Sequence, residues 1–202
     1  MFKTINDVSD ILPFVEHKKE IRFFKQPNGI TLGCYLFMDT TTFDSIEALE
    51  CRGIGFNEQG KVISRPLHKF FNMGEKEHLS PTNVLSRNDI YGIYDKLDES
   101  MIATAYDNGI LSWRSKKSFS SDVVRLTNLF LEQPENHFIK EFAEEVASLG
   151  MTAIFELTHP EARIVVSQQE PSFKLLHVRD NLCLLHDSMK KAYLRENIFL
   201  SG

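Results

Sequence analysis

The sequence has few cysteines, no excess of positive charge and no long apolar run, and each shortage closes off a class of protein. Its three cysteines, Cys34, Cys51 and Cys183, are odd in number, widely spaced and never arranged as CxxC. They read as reduced thiols, with neither a disulfide framework nor a zinc site. A formal net charge of −5 excludes a protein that coats nucleic acid by bulk electrostatics, so any RNA contact must come from a local basic patch. No apolar stretch approaches membrane-spanning length and no signal-peptide run follows Met1, so an intracellular location is expected. Glycine and proline are scattered, and neither repeats nor low-complexity tracts occur. What is present is ordinary for a soluble globular chain: 202 residues, 42% hydrophobic and 25% charged, with sixteen phenylalanines to fill a core. That length suits one generous domain, expected to span 1–202.

Hydrophobic patterning predicts strands at 29–37, 51–56 and 62–64, the last two joined by a polar Asn57-Glu58-Gln59-Gly60 turn. Further strands are expected at 90–94, 101–106 and 110–113, with Asn108-Gly109 as the hairpin signal between the last two. The period then changes. Ser120 or Ser121 can cap a helix carrying Val123, Leu126, Leu129 and Phe130 on one face. A second helix starts near Pro134, carries Phe138, Phe142 and Val146, and stops at Gly150. Segments 152–157, 162–167 and 173–178 read as three more strands. The expected class is α+β: antiparallel sheets with inserted helices, leaving a groove between sheets that suits a nucleotide.

Several segments carry chemistry-bearing residues in a distinctive order: Glu50-Cys51-Arg52-Gly53-Ile54, Ser64-Arg65-Pro66-Leu67-His68-Lys69-Phe70-Phe71-Asn72, Tyr94-Asp95-Lys96-Leu97-Asp98-Glu99-Ser100, Trp113-Arg114-Ser115-Lys116-Lys117 and Phe155-Glu156-Leu157. If 94–100 is extended, Lys96, Asp98 and Ser100 project from one face. Glu156 interrupts an apolar strand, which is costly for a carboxylate unless it is paired or bound to a ligand. Phe70 and Phe71 are expected in the core, and as neighbours on a strand at most one would face a ligand.

That ordered set resembles the nucleotidyltransferase domain of ATP-dependent RNA ligases of the T-even bacteriophage type, a fold related to ATP-grasp proteins. The resemblance implies an enzyme in which Lys96 attacks the α-phosphate of ATP to form lysyl-AMP, with Asp98 and Glu156 also in the catalytic set. It implies phosphate contacts from Arg52, Lys69 and Lys116, a nucleotide contact from Tyr35 fifteen residues before Glu50, and an adenine wall at Val178 or a neighbour. Glu156 would touch the ribose or a metal-bound water. The implied cofactors are ATP and Mg²⁺, the implied partners RNA ends with a 5′-phosphate and a 3′-hydroxyl, and the location cytoplasmic, in the host if the chain is viral. Bland readings stand beside these: a solvated turn lysine at Lys96, a hairpin-face arginine at Arg52, a packed tyrosine at Tyr35, a solvated charge cluster at Lys116 and a structural ion pair at Glu156.

Two departures from the family pattern are visible. Glu99 stands where the lysine motif usually has glycine, and the sequence contains neither a Glu-Gly dipeptide nor two lysines separated by one residue, the marks of the family's last two motifs. The expectation is therefore an incomplete catalytic domain. It would be a weakly active ligase, one half of a split enzyme needing a second polypeptide, or a non-catalytic module that binds nucleotide or RNA ends.

Overall fold

The computed structural model describes residues 3–39, 41–88, 99–162 and 170–182. Two four-stranded antiparallel sheets dominate them. The first has the order β1 (Ile21–Lys25), β2 (Thr31–Tyr35), β3 (Arg52–Phe56), β4 (Val62–Ser64). The second has the order β6 (Ile110–Arg114), β5 (Ser100–Asp107), β7 (Met151–Thr158), β8 (Ser172–Asp180). Three short helices, α1 (Leu12–Val15), α2 (Ile46–Glu50) and α3 (Pro81–Leu85), accompany the first half. Two longer ones, α4 (Asp122–Leu131) and α5 (His137–Ser148), lie between β6 and β7 in sequence. No helix among the described residues is long and apolar enough to cross a membrane.

Both sequence-predicted turns form. Gly60 takes φ +83° after the Asn57 turn, and Asn108 and Gly109 take φ 51° and 80°, the left-handed pair that a two-residue hairpin requires. The strand expected at 51–56 begins one residue later, because Cys51 closes α2. That helix is signalled only by Ser45, whose hydroxyl accepts from the Ala48 N–H. β1 was not anticipated from the sequence, since the charged ends of Ile21-Arg22-Phe23-Phe24-Lys25 hide its alternation. The segment expected as a strand at 90–94, and most of that at 162–167, lie outside the described residues.

The helix faces differ from expectation by a rotation. In α4 the buried residues are Val124, Leu126, Thr127 and Leu131, while Leu129 is exposed. Thr127 sits at the centre of that stripe and satisfies its hydroxyl on the Val123 carbonyl, so a purely apolar count misplaces the axis. In α5, Ile139, Ala143, Val146 and Ala147 are buried, and Phe138 turns outward. These helices cover one face of the second sheet, where Trp113, Phe155 and Phe173 form the aromatic centre. Phe155 and Phe173 stack at 4.5 Å, and Trp113 meets both edge-on.

The other face of the second sheet meets the first. Ala105 packs with Ile30, Leu32, Cys34 and Ile63, and a polar seam holds the two sheets in register. Ser64 Oγ donates to the Thr104 carbonyl and accepts from Arg114 Nε at 3.0 Å and Nη2 at 2.7 Å. Arg114 Nη2 also donates to the Gly53 carbonyl. Deeper in the seam, the Glu50 carboxylate receives two arginines: Arg65 through Nε at 3.3 Å and Nη2 at 2.9 Å, and Arg179 through Nη1 at 2.9 Å and Nη2 at 2.7 Å. Arg65 further donates to the carbonyls of Lys3 and Asn181, and Arg179 to that of Pro66. All three side chains are buried. Burial pushes the Glu50 carboxyl up, but the guanidiniums of Arg65 and Arg179 outweigh it and hold the group below the usual carboxylate range. Glu50 thus ties the end of α2 to the segment after β4 and to β8.

Candidate nucleotide site

The site is assembled where β2 ends and β3 begins. The Tyr35 N–H donates to the Cys51 carbonyl at 2.8 Å, and Cys34 pairs with Arg52 in the strand register, so Tyr35 and Arg52 are fixed at neighbouring strand ends. The segment after β4 returns alongside them, since the Lys69 N–H donates to the Leu49 carbonyl at 2.8 Å and Arg52 Nη1 donates to the Leu67 carbonyl at 3.3 Å. Lys116 arrives from the turn after β6. Its Nζ lies over the Tyr35 ring, 3.3 Å from the centroid.

Three of the predicted phosphate-binding cations therefore gather around one tyrosine. Burial raises the Tyr35 phenol, but Lys116 first, then Arg52 and Lys69, pull it below its ordinary value. Burial pushes the Lys116 ammonium down, with Tyr35 opposing. The sum is a local concentration of positive charge on a chain whose net charge is negative.

Lys116 is placed by its backbone. Its carbonyl accepts from Cys34 Sγ at 3.0 Å and lies against Gly53, where an added Cβ would come within 2.9 Å of it. Gly53 also has φ +104°, a conformation that side-chain-bearing residues rarely adopt. Gly53→Ala should consequently cost about 1–3 kcal/mol of stability and displace the Lys116 turn. Urea unfolding together with a nucleotide titration would measure both effects.

Glu156 lies on β7 opposite Met101 of β5 and Lys174 of β8. Opposed residues of an antiparallel pair share a face, and Arg52 Nη1 approaches Met101 Sδ at 3.9 Å, so the Glu156 face of the second sheet looks toward Arg52. Glu156 is buried, and its Oε1 accepts the backbone N–H of Glu99 at 2.7 Å. That bond anchors the residue directly after the segment containing Lys96 and Asp98, which themselves lie outside the described residues. Val178 is not brought to this site: it pairs with Ala153 and packs into the helix-covered core on the opposite face. A one-residue shift between Ile154 and Phe155 sets the register of β7 and β8, and it leaves His177 and Arg179, not Val178, on the face opposite the helices.

The sequence reading missed the aromatic surroundings. The segment from Arg65 to Asn72 is not a strand, so the alternation expected for Phe70 and Phe71 does not apply. Phe70 is 43% exposed with Arg52 over its ring at 4.9 Å. Phe71 carries Lys69 at 4.5 Å and Lys76 at 4.9 Å. Phe43 bridges the Tyr35 and Phe71 rings, with centroid distances of 5.2 Å and 6.0 Å. The density of lysines around Phe70 and Phe71 was the available signal. The Glu50–Arg65–Arg179 assembly was also missed, although three charges in otherwise apolar segments should prompt a search for buried partners.

Comparison with known proteins places these features in a lineage. A sequence profile of the RNA ligase family matches residues 50–195. A protein of Thermovibrio ammonificans provisionally named an RNA ligase is 31% identical over 163 residues, covering 79% of this chain and 42% of the relative. RNA ligase 1 of bacteriophage TS2126 is 29% identical over 180 residues, covering 85% of this chain and 45% of its own length. The RNA ligase of Rhodothermus phage RM378 is 29% identical over 172 residues, covering 68% and 38%. The chain thus spans less than half the length of the curated relatives it matches. The profile match covers all but one of the segments that built the site, from Glu50 through Arg179, and on that ground the chain belongs to the RNA ligase family of bacteriophage type.

Proposed function

We propose that the chain is the nucleotide-accepting part of an ATP-dependent RNA ligase, and the observation that supports this best is the convergence of Arg52, Lys69 and Lys116 on Tyr35. The three cations hold the phosphates of ATP, Arg52 offering a planar fork and the lysines point charges. Lys96 then attacks the α-phosphorus: the N–P bond forms, the bond to the bridging oxygen breaks, and pyrophosphate leaves with the electron pair while the amine gives up its proton. The attack requires a neutral amine, the form that a concentration of positive charge favours. Mg²⁺, when bound, neutralises the leaving pyrophosphate. Among the described residues no trio of His, Cys, Asp or Glu gathers for a metal. Glu156 would take the ribose or a water held by that ion. The AMP passes from Lys96 to an RNA 5′-phosphate, and a 3′-hydroxyl displaces it to seal the strand.

A second reading, a module that binds nucleotide or RNA ends and needs another polypeptide for ligation, uses the same three cations and is favoured by Glu99 standing where the lysine motif usually has glycine. Incubation with ATP labelled on the α-phosphate, followed by denaturing electrophoresis, separates the two. Slow covalent labelling of the wild type and none of Lys96→Ala is expected from the ligase reading. Label persisting on Lys96→Ala would move the nucleophile elsewhere, and no label on either chain would leave the binding module.

A further inference from the structure

A basic-aromatic surface adjoins the phosphate cluster, and its Phe70, Phe71 and Lys76 are not used by the chemistry proposed above. It begins at Arg52 and Phe70, continues through Lys69 and Phe71, and ends at Lys76. Each ring has a cation within 5 Å of its centroid, and neither ring belongs to a hydrophobic core. Phe70 in particular is a large apolar side chain left 43% exposed, with a guanidinium over its ring. The segment that carries it is not free to swing, because the Lys69 N–H is bonded to the Leu49 carbonyl and Arg52 is bonded to the Leu67 carbonyl. Beyond Phe71, the Glu75 carboxylate is turned onto the Asn72 N–H and shapes the loop that presents Lys76.

An exposed ring backed by a cation, followed by a further lysine, is the arrangement that receives a nucleic-acid strand: bases stack on ring faces and phosphates sit on ammoniums. A protein partner is less well matched, since what the surface offers is positive charge interleaved with two rings. We propose that this surface, with Phe70 as the stacking platform and Lys76 as a backbone-phosphate contact, seats the RNA strand whose end enters the phosphate cluster. The proposal rests on the ligase reading for the identity of the strand. Continuity does the rest: Arg52 and Lys69 border both the ATP phosphates and this surface, so a strand laid along it delivers its terminal phosphate next to the nucleotide.

The test is fluorescence anisotropy of a short single-stranded RNA carrying a 5′-phosphate, titrated with the chain over a range of salt concentrations, with inorganic polyphosphate as competitor. Phe70→Ala should weaken RNA binding about tenfold and Phe70→Trp should restore it, as expected for loss and return of one stacked base. Lys76→Glu should also weaken binding and should lower the steepness of the salt dependence by about one phosphate contact. Lys76 is not assigned to ATP but shares the Phe71 ring with Lys69, so Lys76→Glu should weaken ATP binding much less than it weakens RNA binding. RNA affinity equal to wild type in both Phe70→Ala and Lys76→Glu overturns the proposal, as does wild-type binding that polyphosphate mimics fully and Phe70→Ala leaves intact. Circular dichroism of each variant confirms folding. If Lys96 is never labelled yet RNA binding follows Phe70 and Lys76, the ligase chemistry fails and this surface stands. If labelling succeeds and RNA binding ignores both residues, only this surface fails.

Discussion

Glu50→Ala should destabilise the protein more than any single change in the nucleotide site. The substitution leaves the Arg65 and Arg179 guanidiniums buried without their shared counter-charge, and breaking a buried ion pair from one side costs about 3–5 kcal/mol. For a chain of this size that corresponds to a fall in Tm of roughly 10 °C or more. Glu50→Gln should lie between the two, since an amide can accept from one arginine but carries no charge. The same residue sets an acid limb. Its folded carboxyl is held below the ordinary value, so its contribution is fully present above the unfolded pKa and is lost as pH falls through the folded one. Wild-type stability should therefore decline below about pH 4.5. Glu50→Gln should show a shallower decline there. Thermal unfolding followed by circular dichroism across that range measures both effects, and identical pH profiles for the two proteins would remove Glu50 from its place as the clasp between the sheets.

The second large effect is expected at the cations. Lys116→Ala removes a half-buried ammonium whose carbonyl is gripped by Cys34 and Gly53, so no neighbouring lysine can readily take its position. Arg52→Ala removes the only one of the three cations that offers a bidentate fork. Each loss of a charged donor to a phosphate should cost a few kcal/mol in the adenylylation step, which is on the order of a hundredfold or more in labelling rate. Stability should change little for Lys116→Ala, and for Arg52→Ala by its bond to the Leu67 carbonyl and its contacts with Phe70 and Met101. Labelling of either variant at the wild-type rate would mean that the cluster does not hold the reacting nucleotide.

Much of this arrangement was legible in the sequence, and the failures have identifiable causes. Turn chemistry located the hairpins at Gly60 and Asn108-Gly109, because positive φ restricts residue choice sharply. The cations Arg52, Lys69 and Lys116 were found through motif order, and the fold gathers them without any of them being close in sequence to the others. Helix faces were read less well, because Thr127 is buried by satisfying its own hydroxyl and so escapes an apolar count. Val178 or a neighbour was expected at the nucleotide, and a register shift that no periodicity announces turns Val178 into the helix-covered core and its neighbours His177 and Arg179 to the opposite face. Phe70 and Phe71 looked like core, but Phe70 is exposed and Phe71 half-buried against Phe43, because the segment that carries them is not a strand. The clasp joins Glu50 to Arg65, 15 positions on, and to Arg179, 129 positions on, and the second partner is beyond the reach of any local pattern.

The most direct measurement of the central claim is calorimetric titration of the chain with ATP and, separately, with AMP. A site built from Arg52, Lys69 and Lys116 grips phosphates, so ATP should bind at least tenfold more tightly than AMP, and Arg52→Ala should erase most of that difference while AMP binding stays nearly constant. Equal affinity for ATP and AMP in the wild type, or a preference for ATP that survives loss of Arg52 and of Lys116, would contradict the account.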